Sequence, residues 1–425
     1  MRLPLFRNAY ALMANQGVSS MLGMAFWIAA ARMFPADEVG ANAALLSTIA
    51  FIALLSQLGM RNAMAWVLPT IGRAAGRFII ASYGISAALT LVLAPVILLT
   101  LASDDATAKL VQGGVAFVVW FTAASILSSV FGLQDGVLVG LRSATWVPVE
   151  NALFGVLKIA LLPAFASISL GIFAAWTLAI PPLVIGVNVL IFSRLLASRR
   201  GMRSAARMPL RHMVGFISGD YIGNLMLQGT VALIPILVIG ILGTVANAYS
   251  FQAWTVSQAL FMVAGSMTSS LTVEALTTPA NAVDYARRML INIVRLLVPL
   301  SIAIALGAPL LLELFGPAYA DEASDLLRVL ALSTLPITLN TWYYALCRIR
   351  GTVMPILVLR GIVTSVAIAL SIVLIPIVGI TGTGIGWIAG QSLAAVIVIG
   401  REFRWERGIG LKWPAGGLER VQDAS

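Results

Sequence analysis

Long runs of apolar residues follow one another through most of the chain, from Tyr10 to Gly400. The hydrocarbon core of a membrane is about 30 Å thick, and an α-helix needs about 20 apolar residues to cross it. Because no water is present there to satisfy backbone N–H and C=O groups, such runs form helices that bond internally. The composition agrees, with 60% hydrophobic and 10% charged residues, against about 25% charged residues in a soluble domain. The sequence therefore predicts an all-α polytopic membrane protein.

Charged, glycine and proline residues separate twelve such runs. The predicted membrane-spanning helices lie near residues 10–33, 40–69, 78–102, 110–133, 146–167, 170–195, 213–240, 244–273, 289–313, 325–346, 353–378 and 384–400. The first run continues without a small-residue cleavage site, so we interpret it as a retained helix rather than a signal peptide.

Basic residues concentrate in alternate connections between these helices. With the amino terminus inside, the cytoplasmic segments contain 20 of the 27 Lys and Arg residues, whereas the opposite loops carry acids such as Asp37, Asp104 and Glu322. Cytoplasmic loops of membrane proteins hold an excess of Lys and Arg. We therefore expect both termini in the cytoplasm, which requires an even number of helices and agrees with twelve.

A basic stretch from Arg194 to Arg211 separates two sets of six helices. A shift of 205 residues aligns the two halves and places Asn42 on Asn247. A repeat with an even number of helices keeps its orientation, so we expect two six-helix lobes related by a pseudo-two-fold axis along the membrane normal. The predicted domains are an N-terminal lobe at 1–195, a basic cytoplasmic linker at 196–212, a C-terminal lobe at 213–400 and a cytoplasmic tail at 401–425.

Polar residues form matching rows on the first helix of each half. Spacing by four residues places side chains on one helical face, and the shift pairs Asn15, Ser19 and Gly23 with Asp220, Asn224 and Gln228. Unpaired polar groups cost several kcal/mol in hydrocarbon, so we expect that these helix faces are not exposed to lipid. One interpretation is that they form hydrogen bonds between helices. The second interpretation is a hydrated cavity lined by the first and seventh helices, and the acidic Asp220 and the adjacent Tyr221 favour it.

Basic residues within the predicted spans indicate the charge of a bound ligand. They are Arg61, Lys158, Arg295 and Arg360. Arg61, in the polar second helix with Gln57, is the strongest candidate, because a central arginine costs about 3 kcal/mol and usually faces a bundle interior. The alternative for all four is that their long side chains reach the cytoplasmic headgroups. Acids within the spans are fewer, namely Glu150, Asp220 and Glu274, so the excess of basic groups predicts an anionic ligand.

Catalytic, redox and metal chemistry find no support in the sequence. The chain has one cysteine, Cys347, and one histidine, His212, which cannot assemble a disulfide framework or a Cys/His metal site. It has no glycine motif for a nucleotide phosphate. We therefore expect no enzyme, no cofactor and no metal. The net charge of +10 is explained by the cytoplasmic loops and does not predict binding of nucleic acid.

Two groups of residues carry a resemblance to a known family. The first comprises Asn15, Phe26-Trp27, Ala31-Arg32 and Leu58-Gly59-Met60-Arg61-Asn62-Ala63; the second comprises Gln134-Asp135-Gly136, Arg142, Val149-Glu150-Asn151 and Lys158. They resemble the first two helices, and the connection from the fourth to the fifth helix, of bacterial polysaccharide transporters. These include the O-antigen flippases of the multidrug, oligosaccharidyl-lipid and polysaccharide (MOP) exporter superfamily.

The resemblance implies two lobes around a central cavity that opens alternately to each side of the bacterial inner membrane. The implied function is a flippase that moves an undecaprenyl-pyrophosphate-linked oligosaccharide to the outer leaflet for polysaccharide or lipopolysaccharide biosynthesis. Expected partners are this lipid-linked oligosaccharide, membrane lipid, a glycan polymerase and glycosyltransferases. The residues agree, because basic groups neutralise pyrophosphate while amides and tyrosines bind sugar hydroxyls. The predicted cavity residues are Arg61, Lys158, Asn15, Asp220, Asn224, Gln228, Tyr221, Gln57, Arg360 and Arg295.

Two other functions remain open at this point. A cation-coupled multidrug antiporter of the MATE type would use Asp220 as a proton or sodium site and would tolerate loss of Arg61. A nontransporting protein would instead scaffold glycan assembly enzymes, and would function without the charges of Arg61 and Lys158.

Overall fold

The computed structural model describes the backbone of residues 4–102, 114–197, 210–277, 282–349 and 352–404. Within these ranges the regular structure is helical and no strand occurs. The α-helices are α1 Pro4–Met33, α2 Ala36–Ser56, α3 Met60–Val67, α4 Ala75–Ala102, α5 Gly114–Gly140, α6 Trp146–Leu161, α7 Gly171–Leu178, α8 Ile180–Leu190, α9 Leu210–Leu242, α10 Thr244–Thr277, α11 Ala282–Leu306, α12 Ala308–Glu313, α13 Pro317–Ile349, α14 Met354–Val378 and α15 Thr381–Arg404.

Each of the twelve predicted spans coincides with one of these helices or with two consecutive ones in the described part of the chain. Eight helical stretches among the described residues are long and apolar enough to cross a membrane. The prediction of an all-α, multi-pass membrane protein is therefore confirmed.

Two helices extend beyond their predicted ends. We expected the fourth span to end near residue 133, but α5 continues to Gly140 and includes Gln134 and Asp135. The Gln134 side chain is buried and donates to the carbonyl oxygen of Val184 at 3.0 Å, so a polar residue does not end the helix when it has a partner. Helix α13 begins at Pro317 rather than near residue 325, in agreement with the preference of proline for the first helical position.

The second predicted span is interrupted. Helix α2 ends at Ser56, and α3 starts at Met60. Between them, Leu58 has φ of 48° and Gly59 has φ of 73°. Glycine adopts this left-handed conformation without steric cost, whereas leucine does so rarely. The break therefore divides the span into a long helix and an eight-residue helix.

The chain divides into two compact units. The first contains residues 1–252 and 314–316, and the second contains residues 253–313 and 317–425. Buried Met64, Leu133 and Val137 belong to a core cluster of the first unit, and buried Leu260, Ile293 and Leu297 to one of the second. The predicted linker at 196–212 lies largely outside the described residues, so the lobe boundaries remain a prediction.

Candidate functional site

An ion pair joins α3 to α5 in the first unit. Arg61 Nη2 donates to Asp135 Oδ2 at 2.7 Å. Asn151 Nδ2, on α6, donates to Asp135 Oδ1 at 3.4 Å. The Asp135 side chain is only 15% exposed, whereas that of Arg61 is 53% exposed. Since a guanidinium has five N–H donors, Arg61 can bind a further anion while Asp135 remains in place.

The helix break places Arg61 at the amino end of α3, where it is the second residue. Both Arg61 and its neighbour Asn62 are exposed. The amino end of a helix carries a partial positive charge, and interrupted helices in transporters direct such ends toward anionic groups of substrates. The positive charge of the Arg61 side chain and the helix dipole would therefore both attract an anion.

Glycines spaced by four residues on α5 hold α3 close, at positions 132, 136 and 140. A Cβ atom on Gly136 would collide with the carbonyl oxygen of Arg61, and one on Gly140 with that of Met64. Small residues allow helix backbones to approach within membranes. These glycines thus allow the backbone of Arg61 to pack directly against the helix that carries Asp135.

A second carboxyl group lies next to this pair. Glu150, on α6, is 2% exposed, and neither of its carboxylate oxygens has a hydrogen-bond partner among the described residues. Its charge repels that of Asp135, and the phenol of Tyr83 on α4 is within electrostatic range. The Tyr83 hydroxyl also lacks a partner in the described part of the chain. Three helices therefore bring ionisable oxygens together beside Arg61.

Lys158 occupies an aromatic enclosure, away from any described carboxylate. Its ammonium lies 3.6 Å from the ring centroid of Trp176, 4.8 Å from that of Phe26 and 4.9 Å from that of Phe154. The residue is 4% exposed, and it forms no salt bridge with the residues that the structure describes. Cation–π attraction replaces a counter-ion here. The alternative in which Lys158 reaches headgroups therefore does not hold.

Two more predicted residues lie around the helix break. Gln57 Nε2, next to the break, donates to the carbonyl oxygen of Ser129 at 3.1 Å. The Tyr221 hydroxyl donates to the carbonyl oxygen of Leu55 at 3.0 Å. The structure therefore brings Gln57, Arg61 and Tyr221 to the segment that joins α2 and α3.

The remaining described members of the polar rows lie on α1 and α9. Asn15 is half-buried and accepts a hydrogen bond from Ser19 Oγ at 3.3 Å, one turn away on α1. Asn224 is half-buried and Gln228 is exposed on α9. The side chain of Asp220 lies outside the described residues, as do those of Glu274 and His212. A cavity lined by these rows remains a prediction.

Two predicted basic residues belong to the second unit and have different surroundings. Arg295 is exposed on α11. Arg360, on α14, is 8% exposed, and its guanidinium lies over the ring of Tyr344, 5.2 Å from the centroid. Arg360 is therefore covered by the protein, whereas the exposure of Arg295 is compatible with the headgroup alternative.

Sequence reasoning missed three features of this site. The predicted fourth span ends before Asp135, and Asp135 and Asn151 enter the sequence analysis only through the resemblance. The predicted second span runs through Leu58 and Gly59 without a break. The sequence does contain a signal for Asp135, because an aspartate near the end of an apolar run requires a partner when it is helical.

Comparisons with known proteins point to one fold. No family model matches the chain, and no curated protein does. Among solved structures, an inward-facing multidrug resistance MATE transporter of the MOP superfamily has a TM-score of 0.68 and 17% identity, over 92% of this chain and 94% of that one. The outward-facing conformation of such a transporter has a TM-score of 0.60 and 17% identity, with 96% of each chain covered.

A third similar structure is a MOP superfamily transporter from Pyrococcus furiosus, for which a reverse polarity of the binding pocket suggests a different function. It has a TM-score of 0.60 and 18% identity, over 95% of this chain and 94% of that one. These likenesses span nearly the whole of each chain at low identity. The chain therefore has the fold of these MOP superfamily transporters.

Proposed function

We propose that the chain is a flippase of the bacterial inner membrane, with both termini in the cytoplasm, that moves an anionic lipid-linked oligosaccharide outward by alternating access. The observation that carries this proposal is the position of Arg61. Its half-exposed guanidinium stands at the amino end of α3, which falls within the second span that the sequence predicts, near residues 40–69. A pyrophosphate group, with its several acceptor oxygens, is a suitable ligand for a guanidinium and a helix dipole acting together.

Neighbouring groups support a saccharide attached to that pyrophosphate. Gln57, Asn62 and Tyr221 lie within a few residues of the break or bind to it, and amide and phenol groups form hydrogen bonds with hydroxyls. The lipid part of such a substrate would remain in the bilayer.

The test uses the purified full-length protein in liposomes with a fluorescent saccharide on a short isoprenoid pyrophosphate. We expect the Arg61→Ala variant to flip this lipid at less than about a tenth of the wild-type rate, because a charge-assisted contact to the substrate contributes on the order of 1.5–3 kcal/mol. Arg328→Ala is the matched control, since Arg328 also pairs with one aspartate, Asp325 at 2.6 Å, but on an exposed surface. Equal rates for wild type and Arg61→Ala would refute the flippase.

A cation-coupled multidrug antiporter is the second candidate, and two observations favour it. The similar solved structures include multidrug MATE transporters. The first unit also contains two neighbouring acids, Asp135 and Glu150, which are the groups that a cationic drug or a coupling cation would use. This candidate expects Asp135→Asn to abolish efflux of a cationic dye from liposomes while Arg61→Ala retains it. The flippase expects no dye efflux from the wild type.

A further inference from the structure

Glu150 is a buried carboxyl group that the proposed transport function does not use. It is 2% exposed, and both of its oxygens lack hydrogen-bond partners among the described residues. An isolated carboxylate in an apolar interior is so costly that the group either acquires a counter-ion or becomes neutral. Lys158 does not supply that counter-ion, because it lies about two turns farther along α6 and is enclosed by aromatic rings.

The charged and titratable groups that face Glu150 come from three other helices. They are Asp135 on α5, Tyr83 on α4 and, through Asp135, Arg61 on α3. Among the residues whose side chains the structure describes in α1, α7 and α8, which also pack near α6, Arg32 is the one ionisable residue. Arg32 donates to the carbonyl oxygen of Leu314. When both acids are ionised, the cluster has two negative charges and one positive charge.

We propose that Glu150 is a proton-binding site that, at a pH at which it is ionised in the free protein, takes up one proton from water when an anionic ligand binds to Arg61. The inference rests on the proposed function, because it concerns the anion that Arg61 would hold. The proton converts the carboxylate of Glu150 to the neutral acid, and no other bond changes.

The physical cause is repulsion between like charges. A pyrophosphate at Arg61 adds negative charge beside Asp135 and Glu150 in surroundings of low dielectric constant, where such repulsion is strong. Neutralising Glu150 removes part of that repulsion. Proton and anion therefore strengthen each other's binding, and this coupling is reciprocal by thermodynamic linkage.

The sign of the pH dependence follows directly. Protonation favours the anion, so affinity should rise as pH falls through the range in which Glu150 titrates. Uptake of one proton for each ligand gives a change of up to about tenfold in Kd per pH unit. Replacement of Glu150 by glutamine imitates the neutral acid, so the variant should bind tightly at every pH, apart from the titration of the ligand itself.

The experiment is calorimetric titration of the detergent-solubilised full-length protein with farnesyl pyrophosphate, in buffers that differ in ionisation enthalpy. The difference in heat between buffers counts the protons exchanged. At a pH at which Glu150 is ionised in the free protein, we expect the wild type to take up about one proton more than Glu150→Gln, because the proton exchange of the ligand is common to both. This difference should disappear at lower pH, where Glu150 is already neutral before the ligand binds. Asp325→Asn, which removes an exposed carboxylate of the second unit, should match the wild type.

A second measurement does not depend on the variant. The infrared band of a protonated carboxyl group should gain intensity when the ligand binds to the wild type. Equal proton counts for wild type and Glu150→Gln, or no gain in that band, would overturn the proton site and leave the flippase intact. Failure of the wild type to bind farnesyl pyrophosphate would overturn the proposed function, and the inference with it.

Discussion

Asn247 donates a hydrogen bond from its side-chain amide to the carbonyl oxygen of Gly40, at 2.8 Å, and thereby joins α10 to α2 near the amino end of each helix. Both residues are fully buried or nearly so. Asn247 is also the residue that the shift of 205 positions pairs with Asn42. Asn42 is likewise buried, and its amide donates to the carbonyl oxygen of Ser169 at 2.8 Å. The paired asparagines thus each bind a backbone carbonyl outside their own helix.

The contact between α2 and α10 predicts that Gly40→Ala destabilises the protein. A Cβ atom there would collide with the carbonyl oxygen of Thr244, and overpacking of this kind costs about 1–3 kcal/mol. Gly84→Ala is the matched control, because nothing lies within 4 Å of its added Cβ atom, and alanine favours a helix over glycine by up to about 1 kcal/mol. Thermal unfolding in detergent should give a lower Tm for the first variant and an equal or higher Tm for the second.

The two ion pairs of the described chain predict different coupling energies. In a double-mutant cycle to alanine, Arg61 and Asp135 should couple by about 1 kcal/mol or more, because one partner is largely shielded from water. Arg328 and Asp325 have side chains that are 46% and 75% exposed, so their coupling should be about 0.3 kcal/mol. Unfolding free energies of the four variants of each cycle measure both values. Equal couplings would show that Asp135 is better solvated than its 15% exposure indicates.

The aromatic rings around Lys158 predict that a substitution there affects stability and transport differently. Lys158→Met should leave the protein equally stable or more stable by about 1–3 kcal/mol, because it removes a buried charge without a carboxylate partner among the described residues, and methionine sulfur also packs well against aromatic rings. Arg295→Met, at an exposed position of α11, should change stability little. If Lys158 has the predicted role in binding substrate, the flipping rate of Lys158→Met falls although its Tm does not.

The charge of the proposed substrate predicts that transport depends on the membrane potential. Moving about two negative charges outward across 100 mV, inside negative, releases about 4–5 kcal/mol. Collapse of the potential with valinomycin and potassium at constant pH should therefore slow flipping in liposomes. An unchanged rate would show that the potential is not the driving force, and a nigericin control separates the contribution of the pH gradient.

The sequence predicts the number and type of helices well because long apolar runs admit few alternatives in a bilayer. It also identifies Arg61 as a candidate site residue, because an arginine inside an apolar run is costly and usually faces the interior of the helix bundle. The partner of Arg61 could not be found in this way, because Asp135 lies 74 residues away and hydropathy contains no information on which helix faces meet. The helix break at Leu58 could not be predicted either. Leucine rarely adopts a left-handed conformation, so tertiary packing rather than local preference determines the backbone there.

The aromatic enclosure around Lys158 has a consequence for how the protein is made. A lysine within a membrane helix costs about 3 kcal/mol when the helix enters the bilayer alone. Of the three rings around this charge, Phe154 lies on α6 itself, Phe26 lies on α1, which is synthesised earlier, and Trp176 lies on α7, which is translated later. Helix α6 therefore reaches its most stable position in the membrane only after α7 has left the ribosome, so that biogenesis joins three segments of the chain in a fixed order.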